Sequence, residues 1–367
     1  MIVGDTSLAD RKFRAGQRMI LGLAGTAVDD DLRLLVREIQ PAGFILFARN
    51  VAEPVQVLEL NRELSSLINP ENPAFLGVDQ EGGRVQRVRQ PATLWPPMRT
   101  VGRSEASTAE LAKHLAQEVR AMGFNLNFAP VADVDSNPDN PVIGDRAFGR
   151  NPQQVAAEVA TFVEAHQSEH VIAVAKHFPG HGDTSTDSHH ELPIVEKSPD
   201  ELRAVELVPF AKAVASDVGG VMSSHVVFPE WDETWPATLS PLIIPQILRK
   251  EMGFCGVVFS DDMEMKAVQG RHPTETLIRQ ATLATVDILL FCRDPELQIQ
   301  AFRHLVQLQE AEPFLEREFK DAVRRIHTLR ERFFLNCPPP PGLEVVGCAE
   351  HRLLASMLVE QQREVEA

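Results

Sequence analysis

The sequence predicts an α/β protein built as a single (β/α)8 TIM-type barrel with a C-terminal helical extension. Eight short apolar runs alternate with longer helical patterns along most of its 367 residues. Most of these runs are continuous and do not alternate with polar residues, as expected for strands buried on both faces of a parallel sheet. No G-x-G-x-x-G motif follows a strand, which argues against the main alternative, an open doubly wound sheet that binds nucleotides.

The predicted strands are short, and each is followed by a segment with helical features. In chain order they are residues 19–25, 43–47, 74–79, 125–133, 171–178, 219–228, 255–262 and 287–291. A capping side chain followed by proline predicts the start of three of the intervening helices, at Asn151, Ser198 and Ser240. Ser198 and Glu201 also have the spacing of a capping box. Eight strands in this alternation favour a closed barrel.

The end of the chain differs from the rest. A long helical stretch, roughly residues 295–335, follows the last strand, and we expect the barrel to occupy residues 1–335. Residues 336–367 include a run of prolines, which predicts a stiff extended spacer. The remaining tail is too short for a further domain, so we expect it to pack as a last helix or to remain mobile.

Composition limits the classes of partner. The formal charge of −16 argues against a surface for nucleic acid or anionic membrane lipid, since both need clustered lysine and arginine. We therefore expect a small-molecule substrate, and we also expect a monomer. The four cysteines have no C-x-x-C spacing, which favours reduced thiols and a cytoplasmic location. Residues 11–27 imitate a secretory signal, but we interpret them as leading into the first strand.

Polar residues gather where the predicted strands end. In a barrel of this type the active site lies at the carboxyl ends of the strands. The residues at those ends are Asp79, Lys176, His177, Ser224, His225, Asp261 and Asp262, and Arg146 lies in the loop after the fourth strand. A single aspartate in such a place is usually a helix cap or part of a loop ion pair. Several strand ends of this kind together predict a functional site at one mouth of the barrel.

The stretch KHFPGHGDTSTDSHH suggests a metal site at first sight. His177 and His181 have the spacing of two ligands on one face of a helix, but Pro179 between them breaks such a helix. No glutamate occupies the position that an H-E-x-x-H motif requires. A loop site formed by His177, Asp187 and His189 remains an alternative.

A second stretch, DVDSNPDNPVIG from Asp133, resembles the start of a calcium-binding loop. Pro138 stands where that loop needs glycine, and Gly144 stands where it needs a bidentate glutamate. We expect these side chains to organise a turn before Arg146 instead.

Acid–base and nucleophilic chemistry fits the remaining residues better. Asp187 and His189 are two positions apart, so in an extended loop both side chains point the same way. A carboxylate beside an imidazole raises its proton affinity and fixes its tautomer, as an acid–base histidine needs. Asp261, at the end of an apolar strand, is a candidate nucleophile of the kind used in glycoside hydrolysis with retention. We expect Asp262 to support the loop or to cap the next helix.

Six motifs together resemble a known family. They are GFILFARNV, VDQEGGRVQR, IGDRAFG, AKHFPGHGDTSTDSHHELP, MSSHVVFP and VVFSDDMEMKAV, and they follow in this order between about residues 16 and 335. The combination is similar to the bacterial β-N-acetylhexosaminidases of glycoside hydrolase family 3, whose members act in peptidoglycan recycling. The resemblance implies a barrel that removes terminal β-linked N-acetylglucosamine, typically from anhydro-muropeptides.

The resemblance also implies roles for individual residues. Asp261 matches the nucleophile that forms a covalent glycosyl-enzyme, and His189 with Asp187 matches the acid/base dyad on a mobile loop. The matched sugar-binding positions are Asp79, Arg87, Arg146, Lys176 and His177. No metal or organic cofactor is expected. The sequence departs from the usual pattern in having His190 after the acid/base residue and no tyrosine, and neither departure touches this chemistry.

Three alternatives stay open at the level of sequence. A glycoside phosphorylase would use the same fold and intermediate, with phosphate in place of water. A non-catalytic sugar-binding barrel would be expected to have lost catalytic residues, whereas Asp187, His189 and Asp261 are all present. A metal-dependent barrel hydrolase would lose its activity when a chelator is added.

Overall fold

A computed structural model of the chain describes residues 7–102, 104–184 and 192–366. The strands within these residues are β1 (Met19–Gly22), β2 (Gly43–Leu46), β3 (Phe75–Val78), β4 (Gln80–Gly82), β5 (Val85–Gln86), β6 (Leu126–Asn127), β7 (Ile172–Phe178), β8 (Gly220–Ser223), β9 (Val257–Asp262) and β10 (Ile288–Phe291). Eight of them form a closed parallel barrel in the order β1-β10-β9-β8-β7-β6-β3-β2, while β4 and β5 form an antiparallel hairpin. The predicted (β/α)8 barrel is therefore confirmed.

Helices surround the barrel. The α-helices among the described residues are α1 (Leu8–Gly16), α2 (Asp30–Ile39), α3 (Pro54–Ser66), α4 (Met98–Val101), α5 (Glu105–Ala121), α6 (Pro152–Ser168), α7 (Pro199–Ala204), α8 (Leu207–Ala215), α9 (Thr274–Leu283), α10 (Pro295–Ala311), α11 (Glu316–Phe334) and α12 (Ala349–Glu366). A π-helix, Ile243–Glu251, stands between β8 and β9. None of the described helices is long and apolar enough to cross a membrane.

The predicted capping residues act as helix starts at two of the three positions. Asn151 accepts hydrogen bonds from the main chain at the start of α6, and Ser198 forms a capping box with Glu201 at the start of α7. Ser240 accepts from the N–H groups of the next turn, but the helix that follows is a π-helix and begins later than predicted. Pro245 within it lacks the N–H that an α-helix would use there.

All eight barrel strands lie where the sequence predicted them, and two are much shorter than expected. The predicted strand 125–133 is reduced to β6, because Pro130 has no N–H to donate to a ladder; Val131 then rejoins the sheet through a bridge to Lys176. The predicted strand 219–228 ends at Ser223. The polar residues after these short strands therefore lie in loops at the barrel mouth.

Apolar side chains fill the interior of the barrel. Phe128 and Phe259 meet edge to face, with ring centroids 5.6 Å apart, and both are fully buried. A larger apolar cluster lies between the strands and the helices. Because the interior is packed, a substrate has access only to an end of the barrel.

Candidate active site

A cavity of about 310 Å³ opens at the carboxyl ends of the barrel strands. Its polar lining includes Asp79, Glu81, Arg84, Arg87, Arg146, Lys176, His177, His181, Asp261 and Asp262. Its apolar lining includes Ile45, Phe47, Val85, Pro141, Val142, Met222, Met265, Leu290 and Cys292. The structure thus brings the six predicted site residues that it describes to one mouth of the barrel.

Lys176, near the end of β7, lies at the centre of the polar wall. Its buried Nζ is 2.8 Å from Asp79 Oδ1 and 2.5 Å from Glu81 Oε1, and Arg87 donates to Asp79 Oδ2 at 2.9 Å. Burial alone would raise the pKa of the Asp79 carboxyl, but the charges of Lys176 and Arg87 more than offset it and hold that pKa well below its usual range. Asp79 is therefore ionised, and each of its oxygens keeps a lone pair for a ligand hydroxyl.

Glu81, in the hairpin strand β4, is a site residue that was not predicted from the sequence. Arg146 donates to its two oxygens from Nε and Nη2, each at 2.8 Å. Burial would raise the pKa of Glu81, but the charges of Arg146 and Lys176 lower it to about 2. Arg146 lines the cavity as predicted, yet two of its donors are taken by Glu81. The one available signal was an acidic residue two positions after Asp79, on the same side of an extended chain.

His177, at the mouth beside Lys176, is fixed by Asp133. Its Nδ1 lies 2.7 Å from Asp133 Oδ2, and the N–H of His181 donates to Asp133 Oδ1 at 2.7 Å. Because Nδ1 faces this buried carboxylate, Nε2 is the ring nitrogen that can serve the cavity. Burial and the charge of His177 lower the pKa of His181 to about 4, so His181 is neutral at pH 7. From the sequence, Asp133 was expected only to help organise a turn.

Asp261, near the end of β9, faces the same cavity. Burial would raise its pKa, but the charges of His225 and His177 and the N–H of Asp262 lower it. That N–H lies 2.8 Å from Asp261 Oδ1, and His225 is held by Asp262, whose carbonyl oxygen is 3.1 Å from His225 Nε2. Asp261 is thus an ionised carboxylate in a partly desolvated position. Such a group can attack an electrophilic carbon.

The expected acid/base dyad, Asp187 and His189, lies outside the described residues, as does His190. Thr184 and Leu192 are the described residues on either side of it. Thr184 is buried, and its Oγ1 lies 2.9 Å from Nδ1 of His181, which lines the cavity. The last described residue before the dyad therefore lies beside the cavity.

The asparagine-rich stretch after Asp133 organises a turn, as expected from the sequence. Asn140 Oδ1 accepts from the N–H groups of Val142 and Ile143, each at 2.8 Å. This turn leads into the short helical segment Gly144–Arg146. The stretch thus places Arg146 at the mouth of the barrel.

Comparison with known families matches residues 16–329 to the Glycosyl hydrolase family 3 N terminal domain. The Beta-hexosaminidase of Nitrosomonas eutropha is 38% identical over 286 residues, which cover 76% of this chain and 81% of that protein. The Beta-hexosaminidase of Pseudomonas aeruginosa PAO1 is 38% identical over 295 residues, which cover 78% of this chain and 86% of that protein.

Solved structures agree with this match. A glycoside hydrolase family 3 β-N-acetylglucosaminidase from Paenibacillus sp. FPU-7 has a TM-score of 0.89 and 36% identity, covering 96% of this chain and 68% of that chain. NagZ from Neisseria gonorrhoeae, in complex with N-trifluoroacetyl-D-glucosamine, has a TM-score of 0.77 and 29% identity, covering 94% of this chain and 97% of that chain. The family match spans most of the barrel and includes the residues around the cavity. This chain therefore belongs to glycosyl hydrolase family 3 and is a glycoside hydrolase.

Proposed function

We propose that this glycoside hydrolase is a retaining β-N-acetylhexosaminidase that removes terminal non-reducing β-linked N-acetylglucosamine. The observation that carries the proposal is Asp261, whose lowered pKa makes it an ionised carboxylate within the cavity. A carboxylate in this state is ready to act as a nucleophile. The proposal agrees with the relatives, which are named Beta-hexosaminidase, and with a structural neighbour named as a β-N-acetylglucosaminidase.

Hydrolysis would proceed in two steps. In the first, a carboxylate oxygen of Asp261 bonds to the anomeric carbon, the bond from that carbon to the leaving oxygen breaks, and His189 gives its proton to that oxygen. In the second, water bonds to the anomeric carbon, His189 takes a proton from the water, and the bond to Asp261 breaks. Asp187 orients His189 in both steps. Two displacements at one carbon retain its configuration.

The polar wall supplies contacts for the terminal sugar. Asp79 accepts hydrogen bonds from sugar hydroxyls, and Lys176, Arg87 and His177 donate to hydroxyl or amide oxygens. Arg146 contributes to sugar binding through Glu81. It pairs with the Glu81 carboxylate, which in turn pairs with Lys176. A buried set of paired charges keeps its geometry when the sugar enters, so these groups are already aligned for binding.

We further propose that the natural substrates are peptidoglycan fragments such as anhydro-muropeptides. The enzyme would act on them in the cytoplasm, as a monomer and without a metal or an organic cofactor. A cavity of about 310 Å³ supports cleavage at a chain end, since it suits one sugar unit better than a polymer segment. The formal charge of −16 supports a free fragment as substrate, because an extended anionic polymer or an anionic lipid surface would be repelled.

Activity of an Asp261 variant tests the proposed function. Asp261→Ala should lower kcat/KM for nitrophenyl N-acetyl-β-glucosaminide by at least about a thousandfold, because no covalent intermediate can form. Asp139→Ala removes an exposed aspartate and is the control for the change in charge. The wild-type enzyme in phosphate buffer should release free N-acetylglucosamine. Sugar 1-phosphate as the main product would contradict hydrolysis and establish the phosphorylase alternative.

A further inference from the structure

The residues directly before the segment 185–191 are held by contacts that the proposed chemistry does not use. Asn140 Nδ2 donates to the carbonyl oxygens of His181 at 2.8 Å and Gly182 at 3.0 Å. Gly182 also packs so closely on the main chain that a Cβ there would lie 1.6 Å from the Val134 carbonyl oxygen. This end of the segment is therefore fixed to the loop between β6 and α6.

The chain that leaves the segment is attached elsewhere. The N–H of Val195 donates to the carbonyl oxygen of Val227 at 2.9 Å. The N–H of Val227 donates to the carbonyl oxygen of Pro193, also at 2.9 Å. These bonds fix the second end to the loop after β8. The two ends of the segment thus belong to different parts of the barrel mouth.

Lys197 connects the two ends. Its Nζ lies 3.1 Å from Asp183 Oδ1, before the segment, and 2.8 Å from Glu206 Oε1, directly before α8. The carboxylate of Glu206 is buried and also accepts from Ser136 Oγ at 3.1 Å. Burial would lower the pKa of Lys197, but the bonds to Glu206 and Asp183 raise it. The amine therefore stays charged and bonded to both carboxylates.

We propose that Lys197 is a positioning residue for the acid/base step, because its bond to Asp183 links the described chain on either side of residues 185–191, and its bond to Glu206 holds that link at the start of α8. Fixing the ends of a chain segment reduces its conformational freedom. Proton transfer in turn requires a donor within hydrogen-bond distance of its acceptor. This inference rests on the acid/base role that the proposed function gives to His189.

Four variants separate positioning from a general effect on the fold. Asp183→Asn removes the negative charge from the link to the first end, so that at most a weaker hydrogen bond remains, and it leaves the pair of Lys197 with Glu206 intact, so no buried carboxylate loses its partner. Lys197→Met removes both links, and Lys197→Arg is the conservative replacement. Lys12→Met is the matched control, because it breaks an exposed lysine–carboxylate pair of 2.9 Å with Glu38.

The readout is kcat/KM for two substrates with different leaving groups. We expect Asp183→Asn and Lys197→Met to lower the value for N,N′-diacetylchitobiose by roughly tenfold, and the value for the nitrophenyl glycoside by less than about threefold. Only the sugar leaving group needs a proton from the enzyme, which is the physical reason for the difference. Lys197→Arg and Lys12→Met should keep both values within about twofold of wild type.

His189→Ala provides the reference for the acid role. Combined with Asp183→Asn, it should cause no further loss on chitobiose, since both changes act on the same proton transfer. Equal losses on both substrates, or independent losses in the double variant, would overturn the role of Lys197. If His189→Ala alone affects both substrates equally, the acid role of His189 is wrong and this inference falls with it.

Discussion

Asp261 and Asp262 are neighbours in the chain with opposite pKa shifts. The charges of His225 and His177 outweigh burial and lower the pKa of Asp261. Burial is the main cause at Asp262, and together with the charges of Glu264 and Asp261 it raises that pKa to about 7. Successive side chains of an extended strand point to opposite sides, so the two carboxyls have different neighbours: the charges of histidines lower the pKa of Asp261, whereas those of acidic residues raise the pKa of Asp262. At neutral pH only Asp261 is fully ionised.

The raised pKa of Asp262 predicts how stability depends on pH. An unfolded aspartate has a pKa of about 3.9, so the folded protein holds a proton that the unfolded chain releases. This contribution to stability is complete below pH 4 and is lost as the pH rises through about 7. The side chain of the Asp262→Asn variant cannot titrate. Between pH 4.5 and 7.5 the free energy of unfolding of this variant should therefore fall by about 2 kcal/mol less than that of wild type, after allowance for screening by water in the cavity.

Urea unfolding at several pH values measures this difference. Asp139→Asn, which changes an exposed aspartate, is the control for the loss of one carboxyl group. Curves for wild type and Asp262→Asn that run parallel across this range would show that the proton is not held at Asp262.

The sequence predicted the positions of the strands better than it predicted which side chains of different strands bond to one another. Lys176 and His177 follow an apolar run, so their place at the end of β7 could be read directly from the pattern. Their partners Glu81 and Asp133 come from other elements, and spacing along the chain does not say which side chains of neighbouring strands meet. Asp133 also begins a stretch that resembles a calcium loop, and this resemblance did not indicate its bond to His177.

One buried carboxylate contributes to the attachment of helix α12 to the barrel. Glu118 in α5 accepts from Thr93 Oγ1 at 2.5 Å, from Gly347 N at 2.9 Å and from His351 Nδ1 at 2.9 Å. The sequence predicted a last helix or a mobile tail for this region. It could not predict this anchor, because the bonded residues come from three separate parts of the chain.

His351→Ala should destabilise the protein by about 2 kcal/mol, because it empties a buried position and removes a hydrogen bond to a buried carboxylate. Leu353→Ala on the same helix is the control; Leu353 is 62% exposed, and its loss should cost less than about 0.5 kcal/mol. Urea unfolding gives both values, and hydrogen exchange of α12 shows whether the helix loosens first. Equal effects from the two variants would mean that other contacts hold α12.

At the scale of the whole molecule, the barrel separates a stabilising charge cluster from the active site. Asp287, directly before β10, is fully buried and bonds Arg249 of the π-helix and Arg325 of α11, each at 2.7 Å. It also accepts from the N–H of Val258 in β9 at 2.8 Å. One carboxylate thus joins two strands and two helices at the amino ends of the strands, opposite the cavity.

Asp287→Asn should therefore reduce stability without changing the chemistry. Two largely buried guanidinium groups would lose their carboxylate, and we expect a loss of about 3 kcal/mol in the free energy of unfolding. Asp321→Asn is the control, because it removes an aspartate that pairs with exposed arginines and should cost less than about 1 kcal/mol. Well below its melting temperature, Asp287→Asn should keep kcat/KM within about twofold of wild type, since the cavity lies at the other end of the barrel. A small loss in the free energy of unfolding would show that the cluster is not needed to hold the barrel together. A large loss of activity in the folded variant would show that the two ends of the barrel are coupled.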